Sequence, residues 1–286
     1  MTGEPAINKK SAEASASALL SIAGKRRLCY DEKKQEGGEG LENVGYVSEV
    51  IFREMPPASS YLCELPVVRY LARAGRLPFR APVTFLVGEN GAGKSTLLEA
   101  IAVAAGFNAE GGTRNFQFST NNTHSELHRC IGLARRAYPK DGFFLRAESF
   151  YNLATNVDEL DRIDGGMLHS YGGVSLHAQS HGESFLSLML NRFGGNGLYI
   201  LDEPESALSP TRLMSLLTLI DELVKRNSQF IISTHSPILM AYPKAEIYEL
   251  STDGIRTVPY KETEHYRVTL EFLQNPERML RYLTEE

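Results

Sequence analysis

The sequence predicts an α/β protein with a mostly parallel central sheet. Three short apolar runs support this prediction, because their composition is typical of strands that are buried on both faces of a sheet. They are residues 83–87, 198–201 and 230–233. A helical pattern follows each of the first two runs. Strands and helices in this order are typical of parallel strands joined by right-handed crossovers.

The two helical patterns carry start and stop signals. Residues 94–105 contain an apolar stripe, and Gly106 is placed to end that helix. In the second pattern, Ser209 supplies an N-cap and Pro210 a first-turn proline. Its leucines and isoleucines then repeat at helical spacing as far as Lys225. We therefore expect one helix after each of the first two strands.

The beginning of the chain has a different character. Residues 1–43 are rich in Ala, Ser, Lys, Glu and Gly, and residues 33–40 lack apolar periodicity. Such a composition predicts a flexible extension. Strand-like pieces appear from Val44 onward, so residues 44–286 are expected to form a single domain. The length of 286 residues would also allow two domains.

Composition excludes several classes of protein. Lys and Arg number 30 against 35 Asp and Glu, a net charge of −5, which disfavours a general polyanion binder. Hydrophobic residues make up 42%, enough for a substantial core. The three cysteines are not spaced for a zinc cluster, and no run of about 18 apolar residues is present to span a membrane. We expect a cytoplasmic protein with no integral membrane segment.

Eight consecutive residues match the phosphate-binding pattern G-x-x-x-x-G-K-[ST], between a predicted strand and a predicted helix. The matching residues are Gly88, Glu89, Asn90, Gly91, Ala92, Gly93, Lys94 and Ser95, and we expect Thr96, which follows them, to belong to the same phosphate-binding set. Glycines let backbone N–H groups converge on phosphate oxygens, and the new helix presents its positive N-terminus. Lys94 can reach β- and γ-phosphates, and Ser95 can ligate magnesium.

Polar residues follow the two later strands. Asp202 and Glu203 end the second run, and alternation along a strand gives their side chains different directions. Asp202 is the candidate to hold magnesium, and Glu203 the candidate to accept a proton from the attacking water. His235 follows the third strand, at the edge where ligands of parallel sheets bind. We expect it to contact the γ-phosphate or the water.

Together these motifs resemble the ATP-binding-cassette (ABC) ATPase head, including its stand-alone AAA-family relatives, over residues 44–255. The resemblance implies a P-loop NTPase fold with an antiparallel N-terminal β part and a helical region that carries a signature motif. It also implies that the cofactors are ATP and Mg²⁺, that the phosphate loop and Asp202-Glu203 are the Walker A and Walker B elements, and that Lys94, Glu203 and His235 are catalytic.

The resemblance assigns further residues less directly. Residues 179–183 occupy the place of the signature Leu-Ser-Gly-Gly-Gln or Glu, which caps the ATP of a partner subunit. Here Ser180, Gly182 and Glu183 match it, whereas Gln179 and His181 depart from it. Residues 204–209 occupy the place of the D-loop at the dimer interface. Gln117 is the candidate Q-loop residue, which would sense magnesium. Tyr61 is a candidate to stack on adenine, although such residues more often belong to the core.

The leading hypothesis is an ATPase that dimerises head to tail around two Mg-ATP molecules and acts on an unidentified protein partner. One alternative is the ATPase subunit of a membrane transporter. Another is an ATP-gated module of a DNA-repair or phage-defence complex. Four basic residues offer a possible DNA contact, although helical charges spaced in this way usually form a solvated face. They are Arg129, Arg135, Arg136 and Lys140.

Overall fold

The computed structural model describes residues 45–114, 125–164, 168, 173, 175–178 and 180–284. The predicted extension at residues 1–43, the Q-loop candidate Gln117 and the first signature position, Gln179, lie outside these residues. Within the described ranges, no helix combines the length and the apolar character that crossing a membrane requires.

The described residues contain nine strands in two sheets. In chain order the strands are β1 (Val47–Phe52), β2 (Arg76–Pro78), β3 (Val83–Gly88), β4 (Ile131–Arg135), β5 (Asp141–Arg146), β6 (Gly197–Asp202), β7 (Gln229–Ser233), β8 (Ala245–Ser251) and β9 (Gly254–Thr257). The larger sheet has the order β5-β6-β7-β3-β8-β9. Its first five strands are parallel, and only β9 pairs antiparallel. The predicted mostly parallel sheet is confirmed.

The smaller sheet has the order β2-β1-β4, and both of its pairings are antiparallel. It confirms the antiparallel N-terminal β part. The structure also corrects the expectation that the four basic residues of this region lie on one helix. Arg135 ends strand β4, and Arg129 lies in a separate four-residue helix. Arg136 and Lys140 lie in the loop that leads to β5. The four basic residues therefore do not share one helix face.

The helices of the described residues are α1 (Pro66–Ala74), α2 (Lys94–Ala105), α3 (Leu127–Cys130), α4 (Phe150–Asp164), α5 (His181–Arg192), α6 (Pro210–Lys225), α7 (Pro237–Met240), α8 (Glu264–Gln274) and α9 (Pro276–Thr284). Both helices predicted from the sequence are present. Helix α2 ends where Gly106 adopts the left-handed conformation. The side chain of Ser209 accepts a hydrogen bond from the backbone N–H of Arg212 and so caps α6.

Apolar residues cover both faces of the larger sheet. Side chains alternate along β3, so that Val83, Phe85 and Val87 join one buried cluster while Leu86 joins the other. The first cluster includes residues of α4, α5 and α6, and the second includes residues of α1, α2 and the smaller sheet. This double burial explains why the central strands are continuous apolar runs.

The parallel sheet also brings the chemical motifs together. Strands β6 and β7 are paired so that Asp202 lies beside Ser233, and β7 and β3 so that Ser233 lies beside Leu86. The loops that follow β3, β6 and β7 consequently leave the sheet at one edge, the one formed by the carboxyl ends of the parallel strands. This edge carries the phosphate loop, Glu203 and His235.

Candidate functional site

The phosphate loop depends on glycine at two positions of close approach. Gly88 has φ +125°, and a Cβ there would lie 2.0 Å from the carbonyl oxygen of Leu250. Gly93 has φ +95°, and a Cβ there would lie 2.4 Å from Cγ1 of Val67. Because Gly93, the N-cap of α2, has no side chain to cap the helix, the backbone N–H groups of the first turn are available to an anion.

Lys94 is buried at the base of this loop. Its Nζ donates hydrogen bonds to the carbonyl oxygens of Gly88 and Glu89, both at 2.8 Å. Burial lowers the pKa of Lys94, and the nearby carboxylates of Glu203 and Asp202 oppose that shift. Two hydrogen bonds therefore hold the ammonium group beside the loop.

Ser95 and Asp202 form the pair of oxygens that the sequence assigned to magnesium. The Ser95 hydroxyl donates to Oδ1 of Asp202 at 3.1 Å, although the two residues are 107 positions apart. The Ser233 hydroxyl donates to the same carboxylate oxygen. Hydroxyl and carboxylate oxygens are ligands that Mg²⁺ prefers, so the donor set fits this ion.

Arg146 is a neighbour of this pair that sequence reasoning missed. It ends β5 directly beside Asp202 of β6, and its Nε lies 3.4 Å from Oδ2 of Asp202. Its Nη1 donates to Oε2 of Glu99 at 2.6 Å. Glu99, on α2, also accepts a hydrogen bond from the backbone of Ser125 at 2.7 Å. Arg146 thus links Asp202 to the helix that begins at the phosphate loop.

We expect Arg146→Met to destabilise the protein by about 3 kcal/mol, because it leaves the buried carboxylate of Glu99 without its cation. Urea unfolding measures this free energy. The double variant Arg146→Met, Glu99→Gln removes the unpaired charge and should recover more than half of the loss. Equal stability of the single and double variants would contradict a stabilising ion pair between Arg146 and Glu99.

Glu203 has an unusual backbone for a residue with a side chain. Its φ of 48° and ψ of 53° place it in the left-handed region, directly before Pro204. Such a conformation costs about 1–3 kcal/mol and persists only when the surroundings impose it. Here the N–H of Glu203 donates to the carbonyl oxygen of Ser233 at 3.1 Å. The Asp202 carboxylate accepts from Ser95 and Ser233, whereas the Glu203 carboxylate faces His235, so the two acids have different partners.

The Glu203 carboxylate faces His235. Its Oε1 lies 3.5 Å from Nε2 of His235, and both side chains are partly exposed. Burial raises the pKa of Glu203, and the negative charge of Asp202 adds to this effect. Burial, followed by the positive charge of Lys94, lowers the pKa of His235 to about 4. His235 is therefore a neutral imidazole at physiological pH.

Glu205 and His265 also contact His235, away from Glu203. The backbone N–H of His235 donates to Oε1 of Glu205, and burial raises the pKa of this carboxyl group. The Nδ1 atom of His235 lies 2.9 Å from Nε2 of His265, at the start of α8. Glu205 lies in the segment assigned to the D-loop, where only the pattern of residues 204–209 pointed to it. The sequence carries no signal for His265.

Comparisons with known proteins agree with this geometry. A family model for an AAA domain, whose description names the AbiEii toxin and the Type IV TA system, matches residues 172–241. A second AAA-domain model matches residues 68–139. The galactose/methyl galactoside import ATP-binding protein MglA of Mannheimia succiniciproducens is 29% identical over 217 residues, which are 68% of this chain and 42% of that protein. The chain thus spans less than half the length of this curated relative.

These matches cover the phosphate loop, the Asp202-Glu203 pair and His235, whose side chains the structure places at one sheet edge. They support an ABC-type P-loop ATPase head. Similar solved structures include cbiO1 from Clostridium perfringens, part of the ABC transporter complex cbiONQ, with 14% identity and a TM-score of 0.43 over 82% of this chain and 97% of that one. Another is the SMC head domain from Thermotoga maritima, with 15% identity and a TM-score of 0.38 over 75% of this chain and 98% of that one.

The two residues assigned to the signature, Ser180 and Gly182, lie at the start of α5. Ser180 is exposed, and its hydroxyl donates to the Glu183 carboxylate at 2.7 Å, which lowers the pKa of Glu183. Arg212 of α6 also pairs with Glu183, at 3.1 Å. A Cβ at Gly182 would lie 2.6 Å from Nη1 of Arg212 and 2.7 Å from the carbonyl oxygen of Ala207. Helix α5 therefore packs on the segment assigned to the D-loop, residues 204–209.

Tyr61 remains a prediction as the residue that stacks on adenine. It lies in a short 3-10 helix, Tyr61–Glu64, immediately before α1, whose Val67 contacts the phosphate loop. Its side chain is 63% exposed, so it is not a core residue. An exposed aromatic ring at this place is compatible with stacking on a base.

Proposed function

We propose that this ABC-type head binds ATP with Mg²⁺ and hydrolyses it to ADP and phosphate. The observation that carries the proposal is the 3.1 Å contact between Ser95 and Asp202, formed beside the buried Lys94 and at the same sheet edge as Glu203. A phosphate-binding loop alone would support nucleotide binding. A paired hydroxyl and carboxylate next to a second, separately oriented carboxylate supports hydrolysis.

In this proposal the backbone of residues 88–96 and the ammonium of Lys94 bind the phosphates. The hydroxyl of Ser95 and the carboxylate of Asp202 would hold the metal. Bound Mg²⁺ would supply a Lewis acid that withdraws charge from phosphate oxygens. Hydrogen bonds to two carbonyl groups hold Lys94 beside the loop that would bind the phosphates.

Glu203 is the general base of the proposed reaction. Its carboxylate accepts the proton of a water molecule as the water oxygen bonds to the γ-phosphorus, and ADP leaves with the electron pair of the broken bond. The raised pKa of Glu203 makes the carboxylate a better proton acceptor than an exposed one. His235, as a neutral imidazole, donates a hydrogen bond from one ring nitrogen without adding a charge.

We further propose that two heads associate head to tail when they bind ATP, and that this switch acts on a protein partner. The exposed Ser180 at the N-terminus of α5 supports this proposal, because the first turn of a twelve-residue helix can face a phosphate of a second subunit. Packing of Gly182 on Ala207 supports it further, since the signature and the D-loop would then move as one body.

Ser180→Arg tests the dimer interface. In a hydrolysis-deficient background, we expect this change to abolish the dimer formed with Mg-ATP while the ATP affinity of the monomer stays within about threefold, because bulk and charge block only the contact with the second subunit. Analytical ultracentrifugation and fluorescent-ATP titration measure the two quantities. Asn191→Arg, at an exposed position near the end of the same helix, is the matched control. A dimer that survives Ser180→Arg would exclude this interface.

A second candidate function is that of an ATPase subunit in a membrane transporter. The similarity to a galactose/methyl galactoside import ATP-binding protein favours it. The discriminating experiment is affinity purification from detergent-solubilised membranes: a stoichiometric integral membrane partner would support the transporter. A DNA-dependent role would instead appear as a change in ATP hydrolysis when duplex DNA is added.

A further inference from the structure

His265 is fixed in place by the start of its own helix. The buried Thr263 caps α8, since its hydroxyl accepts from the backbone N–H of Tyr266 and donates to the carbonyl oxygen of Tyr260. His265 lies in the first turn of α8, and its ring centroid is 5.0 Å from that of His235. The contact between the two rings is thus formed by well-anchored backbone.

The hydrogen bonds of the two rings can be counted. Nδ1 of His235 and Nε2 of His265 are 2.9 Å apart, so one of them carries the proton and the other accepts it. On its other side, Nε2 of His235 faces the carboxylate of Glu203, which only accepts when ionised. A proton on Nε2 of the neutral ring leaves Nδ1 as the acceptor. The donor between the two rings is then Nε2 of His265.

The remaining nitrogen of His265 agrees with this assignment. Its Nδ1 is buried and has no hydrogen-bond partner among the described residues. A buried N–H without an acceptor is rarer in proteins than an acceptor without a donor, so this nitrogen is the unprotonated one. Burial lowers the pKa of both His235 and His265, which keeps both rings neutral near pH 7. The charged groups that act on His265 are Glu264, Lys94 and Glu249.

We propose that His265 is a positioning residue that holds His235 in the Nε2–H tautomer and so aims its donor at Glu203 and at the phosphate this carboxylate would serve. This inference rests on the proposed function, because the donor matters only if Glu203 acts on a water molecule. It assigns a role in the ATPase site to helix α8, which lies outside the phosphate loop, the Asp202-Glu203 pair and the signature region.

The experiment compares His265→Leu, which removes the donor, with His265→Gln, whose amide N–H₂ can reach the place of the imidazole Nε2. For the leucine variant we expect kcat to fall by about tenfold while KM for ATP stays within about twofold. The glutamine variant should recover to within about threefold of the unchanged protein. Gln274→Leu, an exposed change at the end of the same helix, is the control for general perturbation of α8.

Nitrogen-15 NMR of the histidine rings, recorded without nucleotide, gives a readout that does not depend on hydrolysis. We expect His235 to carry its proton on Nε2 in the unchanged protein and in His265→Gln, and to become a mixture of tautomers in His265→Leu. A proton on Nδ1 of His235 in the unchanged protein, or a tautomer that His265→Leu does not alter, would overturn the inference. Absence of hydrolysis by the unchanged protein would instead overturn the proposed function.

Discussion

Replacing Glu203 with Gln is expected to slow ATP hydrolysis by about two to four powers of ten while ATP binding survives. Glutamine keeps the shape of the side chain and removes the proton acceptor. The strained backbone at this position is held by the N–H bond to Ser233, which the substitution does not touch. Asp202, which the proposal gives to the metal, keeps its hydrogen bonds from Ser95 and Ser233.

A protein that binds ATP and cannot hydrolyse it should also reveal the proposed association. We expect Glu203→Gln to elute from gel filtration as a dimer with Mg-ATP and as a monomer with ADP. Glu148→Gln is the matched control, because this nearby carboxylate is 89% exposed and should leave turnover unchanged. Near-normal turnover by Glu203→Gln would contradict its role as base. A variant that stays monomeric in saturating ATP would contradict the dimer.

Much of the central fold could be predicted because local signals agreed with the tertiary structure. The runs at β3, β6 and β7 are continuously apolar because both sheet faces are covered, and the glycine and serine caps of α2 and α6 act within a few residues. Parallel strands end at one edge, so the grouping of Asp202, Glu203 and His235 also followed from the sequence.

Arg146 and His265 could not be identified from the sequence, because their roles depend on contacts between distant parts of the chain. Arg146 acquires its role only because β5 pairs with β6 in a register that puts it beside Asp202. His265 follows His235 by 30 residues on a helix without buried residues, and only the tertiary placement of α8 brings the two rings together. The prediction that the four basic residues lie on one helix was wrong, because Arg135 belongs to a strand paired with β1.

The residues of the signature region, 179–183, can be interpreted both as a helix cap and as a contact with a second subunit. Ser180 and Glu183 form a capping box, in which the Glu183 carboxylate accepts from the Ser180 hydroxyl at 2.7 Å and from the backbone N–H of Ser180 at 3.2 Å. A helix start of this kind is stable by itself and needs no partner. The capping contact, however, leaves Ser180 exposed at a helix N-terminus. Local stability and a contact with a second subunit are therefore compatible.

Lys94→Ala is expected to weaken binding of Mg-ATP by at least about 100-fold and to remove turnover. Lys94 is the buried cation on which the negative charges of Glu203, Asp202 and Glu205 act. Without its ammonium group, the site would lose the positive charge that offsets these carboxylates, so its electrostatic attraction for a triphosphate would fall. Isothermal titration calorimetry measures the affinity, and a coupled phosphate assay measures turnover.

Because Lys94 also donates to Gly88 and Glu89, loss of binding must be separated from loss of the loop itself. Lys94→Met retains most of the buried stem and removes only the charge and its donors, so it should lose binding as Lys94→Ala does while unfolding at nearly the temperature of the unchanged protein. Lys140→Ala, at an exposed position, controls for the removal of one positive charge. Normal turnover by a folded Lys94→Met protein would show that residues 88–95 do not bind the reacting phosphate, and the assignment of this loop would be wrong.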